Sequence, residues 1–223
     1  MAKKDDDVLS EMAQNSYGYG RWDAPYWFIG PEPGQERGEN GDLTRRLRAW
    51  EALGRQQLCD CAQFHTDIER QRWHREGKLQ PTWRRLILVL MVFLGKPGDR
   101  EDVRAYQRTR WGSLGGETCV IELLGLAANN LSVERDRRSF VPDRIQLIRD
   151  KIRIHQPRFV LMYGIGRKTK WEEIAGCPLT PGEVLVRDGI ALVMVAHPVS
   201  RGVTDDYWRA VGINLRKHVS ESP

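Results

Sequence analysis

The sequence predicts an α/β protein built in three layers, with helices on both faces of a central, mainly parallel sheet of four strands. Two observations carry this. Four short apolar runs, Tyr26-Trp27-Phe28-Ile29, Val120 to Leu124, Phe159 to Tyr163 and Ile190 to Ala196, lack the polar alternation of a half-solvated strand. Between them lie stretches with helical spacing or helix caps, as in strands joined by helical crossovers. A chain of 223 residues is long enough to bury a core without metal or disulfide support. Residues 17–223 are therefore expected to form a single domain. A polar, Lys/Asp-rich lead-in over residues 1–16 is expected to be flexible.

The elements follow in chain order. Tyr17-Gly18-Tyr19-Gly20-Arg21-Trp22 reads as an aromatic and glycine-bearing loop. The first strand, Tyr26 to Ile29, stops abruptly at Gly30-Pro31-Glu32-Pro33-Gly34, a tight loop. Asp42 to Leu53 carries apolar residues at 43, 47, 50 and 53 behind an Asp cap and is expected to be helical. Leu58 to Lys78 is charged and aromatic and reads as partly helical. Pro81 suits a helix start, and Trp83 to Leu94 is apolar enough to be a buried central helix. The strand Val120 to Leu124 runs into a loop bearing Asn129 and Asn130. Pro142-Asp143 opens a helix with Ile145, Ile148 and Ile152 on one side. The strand Phe159 to Tyr163 ends at Gly164-Ile165-Gly166, before a short helix around Trp171. The strand Ile190 to Ala196 ends at His197-Pro198, and a last helix is expected from Thr204 through Leu215.

Composition narrows the function classes. Apolar residues are 40% and charged residues 29%, so a wholly disordered chain is excluded. The longest apolar run, Leu86 to Leu94, is far short of the roughly 20 residues a membrane helix needs. No membrane partner is expected. The absence of an opening basic-then-apolar stretch leads us to expect a cytoplasmic, nucleoid-associated protein. Net charge is +5, and 27 Arg against 8 Lys supply planar forks suited to phosphate and to stacking on bases, which favours a nucleic-acid partner. The cysteines at 59, 61, 119 and 177 match no zinc or iron–sulfur spacing. The five His include no helical His pair, so no metal site is expected. A Ser/His/Asp hydrolase is excluded by the lack of a G-x-S-x-G elbow, and Gly164-Ile165-Gly166 lacks the third glycine of a dinucleotide fingerprint.

In parallel sheets ligands bind beyond the carboxyl ends of the strands. The chemistry-bearing residues fall there: Glu32 after the first strand, Asn129 and Asn130 after the second, Gly164 after the third and His197 after the fourth. Their order, Gly30-Pro31-Glu32-Pro33-Gly34, an Asn-bearing loop, QPRFVLMYGIG and VMVAHPVSRG, resembles the uracil-DNA glycosylase superfamily over roughly residues 24 to 216.

The resemblance implies the fold of that superfamily and a catalytic pair, Glu32 and His197. Glu32 stands where the first motif handles the hydrolytic water, and His197 begins the second motif, where it stabilises the departing base. Gly34 falls where uracil-specific members carry a tyrosine that closes the pocket beside the pyrimidine C5. Gly30, Gly34, Asn129 and Asn130 are thus the expected base pocket, although the base-reading asparagine has no clean match. Ser200, Arg201 and Gly164 are the expected DNA contacts, with Arg201 at the wedge position, as in the single-strand-selective monofunctional branch. Tyr17, Tyr19, Trp27 and the Trp-rich middle are candidates to stack on a flipped base. The implied activity is a monofunctional DNA glycosylase acting as a monomer on single- or double-stranded DNA, with no metal or organic cofactor. The open place beside C5 suggests a bulky modified pyrimidine, such as glucosylated hydroxymethylcytosine of phage DNA, and hence a defence role. Repair of uracil or deaminated bases is the alternative, and a non-catalytic nucleic-acid-binding domain is the alternative of another class.

Overall fold

The computed structural model describes residues 3–34, 42–126 and 138–220. Among them, seven strands form one mixed sheet: β1 (Gly18–Gly20), β2 (Tyr26–Gly30), β3 (Leu58–Cys59), β4 (Thr118–Glu122), β5 (Phe159–Tyr163), β6 (Val184–Arg187) and β7 (Ile190–Val195), in the order β3-β1-β4-β2-β5-β7-β6. The four apolar runs of the sequence are its parallel centre. Trp27 lies opposite both Cys119 and Val160, and Leu161 lies opposite Val193. The expected sheet of four strands is therefore too small. β1 runs antiparallel to β4, β3 parallel to β1, and β6 antiparallel to β7.

The added strands escape a reading based on apolar runs for physical reasons. β1 is only Gly-Tyr-Gly, and its glycines let two backbones close on one another. A Cβ on Gly18 or Gly20 would stand 2.2 or 2.1 Å from the carbonyl oxygens of Val120 and Thr118. β3 is two residues long, and β6 is a largely exposed edge.

Side chains alternate across the sheet, as the two-residue period of a strand requires. Tyr26, Phe28, Val120, Leu161 and Val193 point into one core. Trp27, Ile29, Cys119, Ile121, Val160 and Met162 point into the other. The first core is covered by α1 (Lys3–Asn15), α2 (Asp42–Ala52), α3 (Cys61–Asp67), α4 (Pro81–Phe93), α5 (Arg100–Thr109) and α8 (Asp205–Ser220). The second is covered by α6 (Val141–His155) and α7 (Lys168–Ala175). Each large apolar side chain buried this way contributes about 1.5–3 kcal/mol. Residues 3–15, within the expected lead-in, are α1, and its Val8, Leu9, Met12 and Ala13 are buried in the first core.

α4 is apolar nearly all round because it lies between the sheet, α5 and α8. Gln80 caps it, its side chain accepting from the Trp83 amide at 2.7 Å, with Pro81 in the first turn. Arg84 on α4 forks onto Asp205 of α8 at 2.7 and 2.6 Å, and Arg85 donates to the carbonyl of Pro198. The loop after β7 is thus tied to the buried helix. No described helix is long and apolar enough to cross a membrane.

Candidate functional site

β2, β4, β5 and β7 are parallel, so their carboxyl ends open onto the same edge of the sheet. Gly30 at the end of β2 pairs with Glu122 at the end of β4. Beyond them, Leu123 and Leu124 donate to the carbonyls of Gly30 and Pro31 at 2.8 and 3.0 Å, which fixes the Pro-rich loop against β4. A cavity of about 340 Å³ opens here. Glu32, Glu122, Tyr163 and His197 line it together with Tyr19, Trp73, Trp83 and Arg46. A larger depression of about 510 Å³, at the start of β7 beside α6, has no buried titratable side chain among its lining residues. The smaller cavity joins buried titratable groups to the strand ends.

Glu122 is the residue the sequence reading missed. It is buried, and one carboxyl oxygen, Oε2, has no hydrogen-bond partner. The Tyr163 phenol lies beside its carboxyl and interacts with it. Desolvation pushes the Glu122 carboxyl up to about 8, helped by the nearby Glu32 and opposed by Arg46 and Arg144. Glu122 is therefore largely protonated at neutral pH, and beside Glu32 it forms a pair of carboxyls in different environments. The one sequence signal was a lone acidic residue closing an otherwise apolar run. Tyr163 is fully desolvated, and its phenol is held well above the ordinary range.

Gly30 serves this pair rather than the pocket wall. A Cβ on it would stand 2.0 Å from the Tyr163 hydroxyl oxygen, so only glycine leaves room for that ring to reach Glu122. Gly30 is not among the residues that line this cavity. Gly34 does line the cavity, and nothing lies within 4 Å of where its Cβ would be. Its carbonyl accepts from Arg46 at 2.7 Å. Asn129 and Asn130 lie outside the described residues.

His197 is half-buried, with its ring edge-on to Tyr163 at 5.4 Å. The Val199 amide donates to its Nδ1 at 3.3 Å, so the neutral ring carries its proton on Nε2. Desolvation lowers its pKa, which favours that neutral form. The loop is a tight turn in which the Ser200 amide donates to the His197 carbonyl at 2.9 Å. Ser200 and Arg201 are not on the cavity wall, whereas Val199 is, 54% exposed at its rim. Gly164, with φ of +95°, lets the chain turn away from β5, and its carbonyl accepts from Trp171. It packs near His197 without lining the cavity.

Of the candidate stacking aromatics, Tyr19 and the middle tryptophans Trp73 and Trp83 line the cavity. Trp27 is fully buried in the other core, donating to Ala24, and Tyr17 lies under the Arg144 guanidinium. Neither lines this cavity. Arg46, Arg70 and Arg72 line the same cavity and give its rim a positive character.

The structure also brings together a metal-suited set that the sequence spacing hid. Cys61, His65 and His74 are all buried, with ligand atoms within 4.8 Å of one another. The pattern is a Cys–His pair one helical turn apart plus a distant His, which a search for paired His or paired Cys passes over. No protein-family model matches the chain, and no curated protein matches it in sequence.

Proposed function

We propose that the chain is a monofunctional DNA glycosylase of the uracil-DNA glycosylase type, acting on a bulky modified pyrimidine. The observation that carries this is the cavity at the carboxyl ends of four parallel strands, lined by Glu32, Glu122, Tyr163 and His197. Its volume of about 340 Å³ falls at the small-molecule end of ligand pockets and suits one extruded base.

The residues divide the work as follows. The bond between the sugar C1′ and the base nitrogen breaks, and its electron pair leaves with the base. His197 donates through Nε2–H to the base oxygen on which negative charge grows. Glu32 faces the cationic sugar and takes the proton of the water that adds at C1′. Protonated Glu122 presents a donor and an acceptor side by side, a match for the hydrogen-bonding edge of a pyrimidine. Tyr19 and Trp83 offer ring faces or edges against the base. The arginines of the rim suit a phosphate backbone, with affinity falling as salt rises. The open space beside Gly34 supports a substituent at C5, such as the glucosylated hydroxymethyl group of phage DNA, and with it a defence role.

The test uses duplexes carrying uracil, 5-hydroxymethylcytosine or its glucosylated form, read by alkali-labile sites and by mass spectrometry of the released base. Release of the glucosylated base is the expected result. Release of uracil alone replaces this reading with base-excision repair. Binding without release of any base makes the chain a non-catalytic nucleic-acid-binding domain.

A further inference from the structure

Next to the cavity lies a cluster that the proposed chemistry does not use. Asp60 caps α3, its Oδ1 accepting from the Ala62 and Gln63 amides at 3.0 and 3.1 Å, which fixes Cys61 at the first helical position. His65 follows one turn later on the same helix face. The next segment passes through a single 3-10 turn, Gln71–Trp73, into His74. It is held there by Gln107, which donates to the Trp73 carbonyl at 2.8 Å, and by Arg108, which donates to the His74 carbonyl at 3.1 Å.

We propose that Cys61, His65 and His74 form a binding site for one zinc-class divalent ion. Cys61 Sγ stands 3.8 Å from His74 Nε2, and one ligand atom from each of the three residues lies within 4.8 Å of the others. Zinc bonds of about 2.3 Å to sulfur and 2.0–2.1 Å to nitrogen place tetrahedral ligand atoms about 3.3–3.6 Å apart, so the Cys61–His74 pair needs little contraction and His65 a modest approach. One thiolate and two imidazoles are the donor chemistry that such a borderline-soft ion selects.

The surroundings fit the same reading. His65 Nδ1 lies 2.7 Å from the Cys61 carbonyl, a bond that orients the ring and leaves the lone pair on its other nitrogen. His74 Nδ1 is buried without a hydrogen-bond partner. Ion uptake would expel the Cys61 thiol proton to solvent and leave the thiolate bound to the ion. Tyr19 and Trp83 pack on His65 at 5.3 and 5.0 Å and hold its ring in place. His65 also lines the cavity, through which a solvent molecule would reach the ion as fourth ligand.

The ion would clamp residues 70–74 to α3. Arg70, Arg72 and Trp73 of that segment form a wall of the cavity, so the site supports the pocket from behind. This holds whichever reaction the cavity performs, and its test needs no substrate.

The experiment uses the full chain, untagged and reduced, with zinc alone and cobalt(II) alone as probes. Elemental analysis after gel filtration should find roughly one zinc per chain, and cobalt should give a thiolate-to-metal charge-transfer band. Cys61→Ser and His74→Gln should each lower retained zinc at least about tenfold, the scale on which loss of a direct ligand or its support acts. Cys59→Ser should keep it, since Cys59 Sγ is engaged with the Gly18 carbonyl at 3.5 Å. Cys61 is fully buried, so each variant is checked for folding by circular dichroism. The wild-type chain alone supplies an independent measurement, a melting temperature that rises with added zinc. Reduced, folded wild type that retains under about a tenth of an ion, or gives no thiolate–cobalt band, overturns the site. Folded Cys61→Ser and His74→Gln variants that retain as much zinc as wild type overturn it equally.

Discussion

Arg144 holds Glu122 in place through the backbone: its Nη2 donates to the Glu122 carbonyl at 2.7 Å while its Nε donates to the Leu123 carbonyl at 2.7 Å. The other bonds of the same guanidinium reach Ala13, Gln14 and Ser16 at 3.0, 2.8 and 2.9 Å. Every N–H of a fully buried arginine is thus used to tie the end of α1 and the end of β4 to α6. Desolvation lowers its pKa to about 10, with Tyr17 and Glu122 pulling the other way. Arg144→Met keeps the length and loses all five donors, leaving buried carbonyls unsatisfied. The expected cost is more than about 3 kcal/mol. Urea unfolding checks it, and a loss below about 1 kcal/mol would show that water replaces the guanidinium freely.

Glu122 gives the fold a pH signature of its own. Its carboxyl is raised by burial from an ordinary 4.5 to about 8. The native state therefore holds a proton that the unfolded chain has released. Its contribution to stability is complete below about 4.5 and is lost as pH rises through about 8. Thermal unfolding from pH 5 to 9 should show stability falling over that window. Glu122→Gln, which keeps the shape without the titration, should flatten the slope and melt higher than wild type at the alkaline end. An unchanged slope would assign it to other groups.

The parallel centre of the sheet was legible because β2, β4, β5 and β7 are buried on both faces and so read as continuous apolar runs. Glu32 and His197 were legible for the same reason, each being the first reactive side chain after such a run. The edge strands were not, because β1 is held by glycine-permitted backbone contact and not by apolar side chains. Glu122 was hidden by its own burial. Only the Tyr163 hydroxyl, brought alongside by Gly30 two strands' worth of sequence earlier, shows why a carboxyl sits there. The Cys61–His65–His74 set was hidden because its third member is delivered by a turn whose course depends on Gln107 and Arg108.

The proposed reaction separates its residues by readout. Glu32→Gln should reduce single-turnover base release by roughly 100- to 10,000-fold with DNA affinity nearly intact, as loss of a positioned base does. His197→Ala should lose a comparable amount through the leaving group. Rates equal to wild type in Glu32→Gln would remove it from the water-handling role. Arg201 is exposed and off the cavity wall, while Val199 stands at the rim. If Val199 enters the duplex, Val199→Gly should impair duplex cleavage more than single-strand cleavage, and Arg201→Ala should affect both alike. The reverse pattern would restore Arg201 as the wedge.

Gly34 decides the substrate. It lines the cavity, and nothing stands within 4 Å of its Cβ position. It is not among the positive-φ glycines, so a side chain there meets neither a clash nor a left-handed backbone. Gly34→Tyr should therefore fold as wild type does and place a ring beside C5 of an extruded pyrimidine. Release of a glucosylated or hydroxymethylated base should be lost, while any release of uracil survives, because only the substituted ring meets the tyrosine. Gly34→Ala adds a methyl without the bulk and should act like wild type on every base. Initial rates on paired duplexes that differ only at C5 measure the split. Equal losses in Gly34→Tyr and Gly34→Ala on all bases would mean that the loop, and not the space beside it, governs turnover. Full activity of Gly34→Tyr on the glucosylated base would place the C5 substituent elsewhere in the cavity.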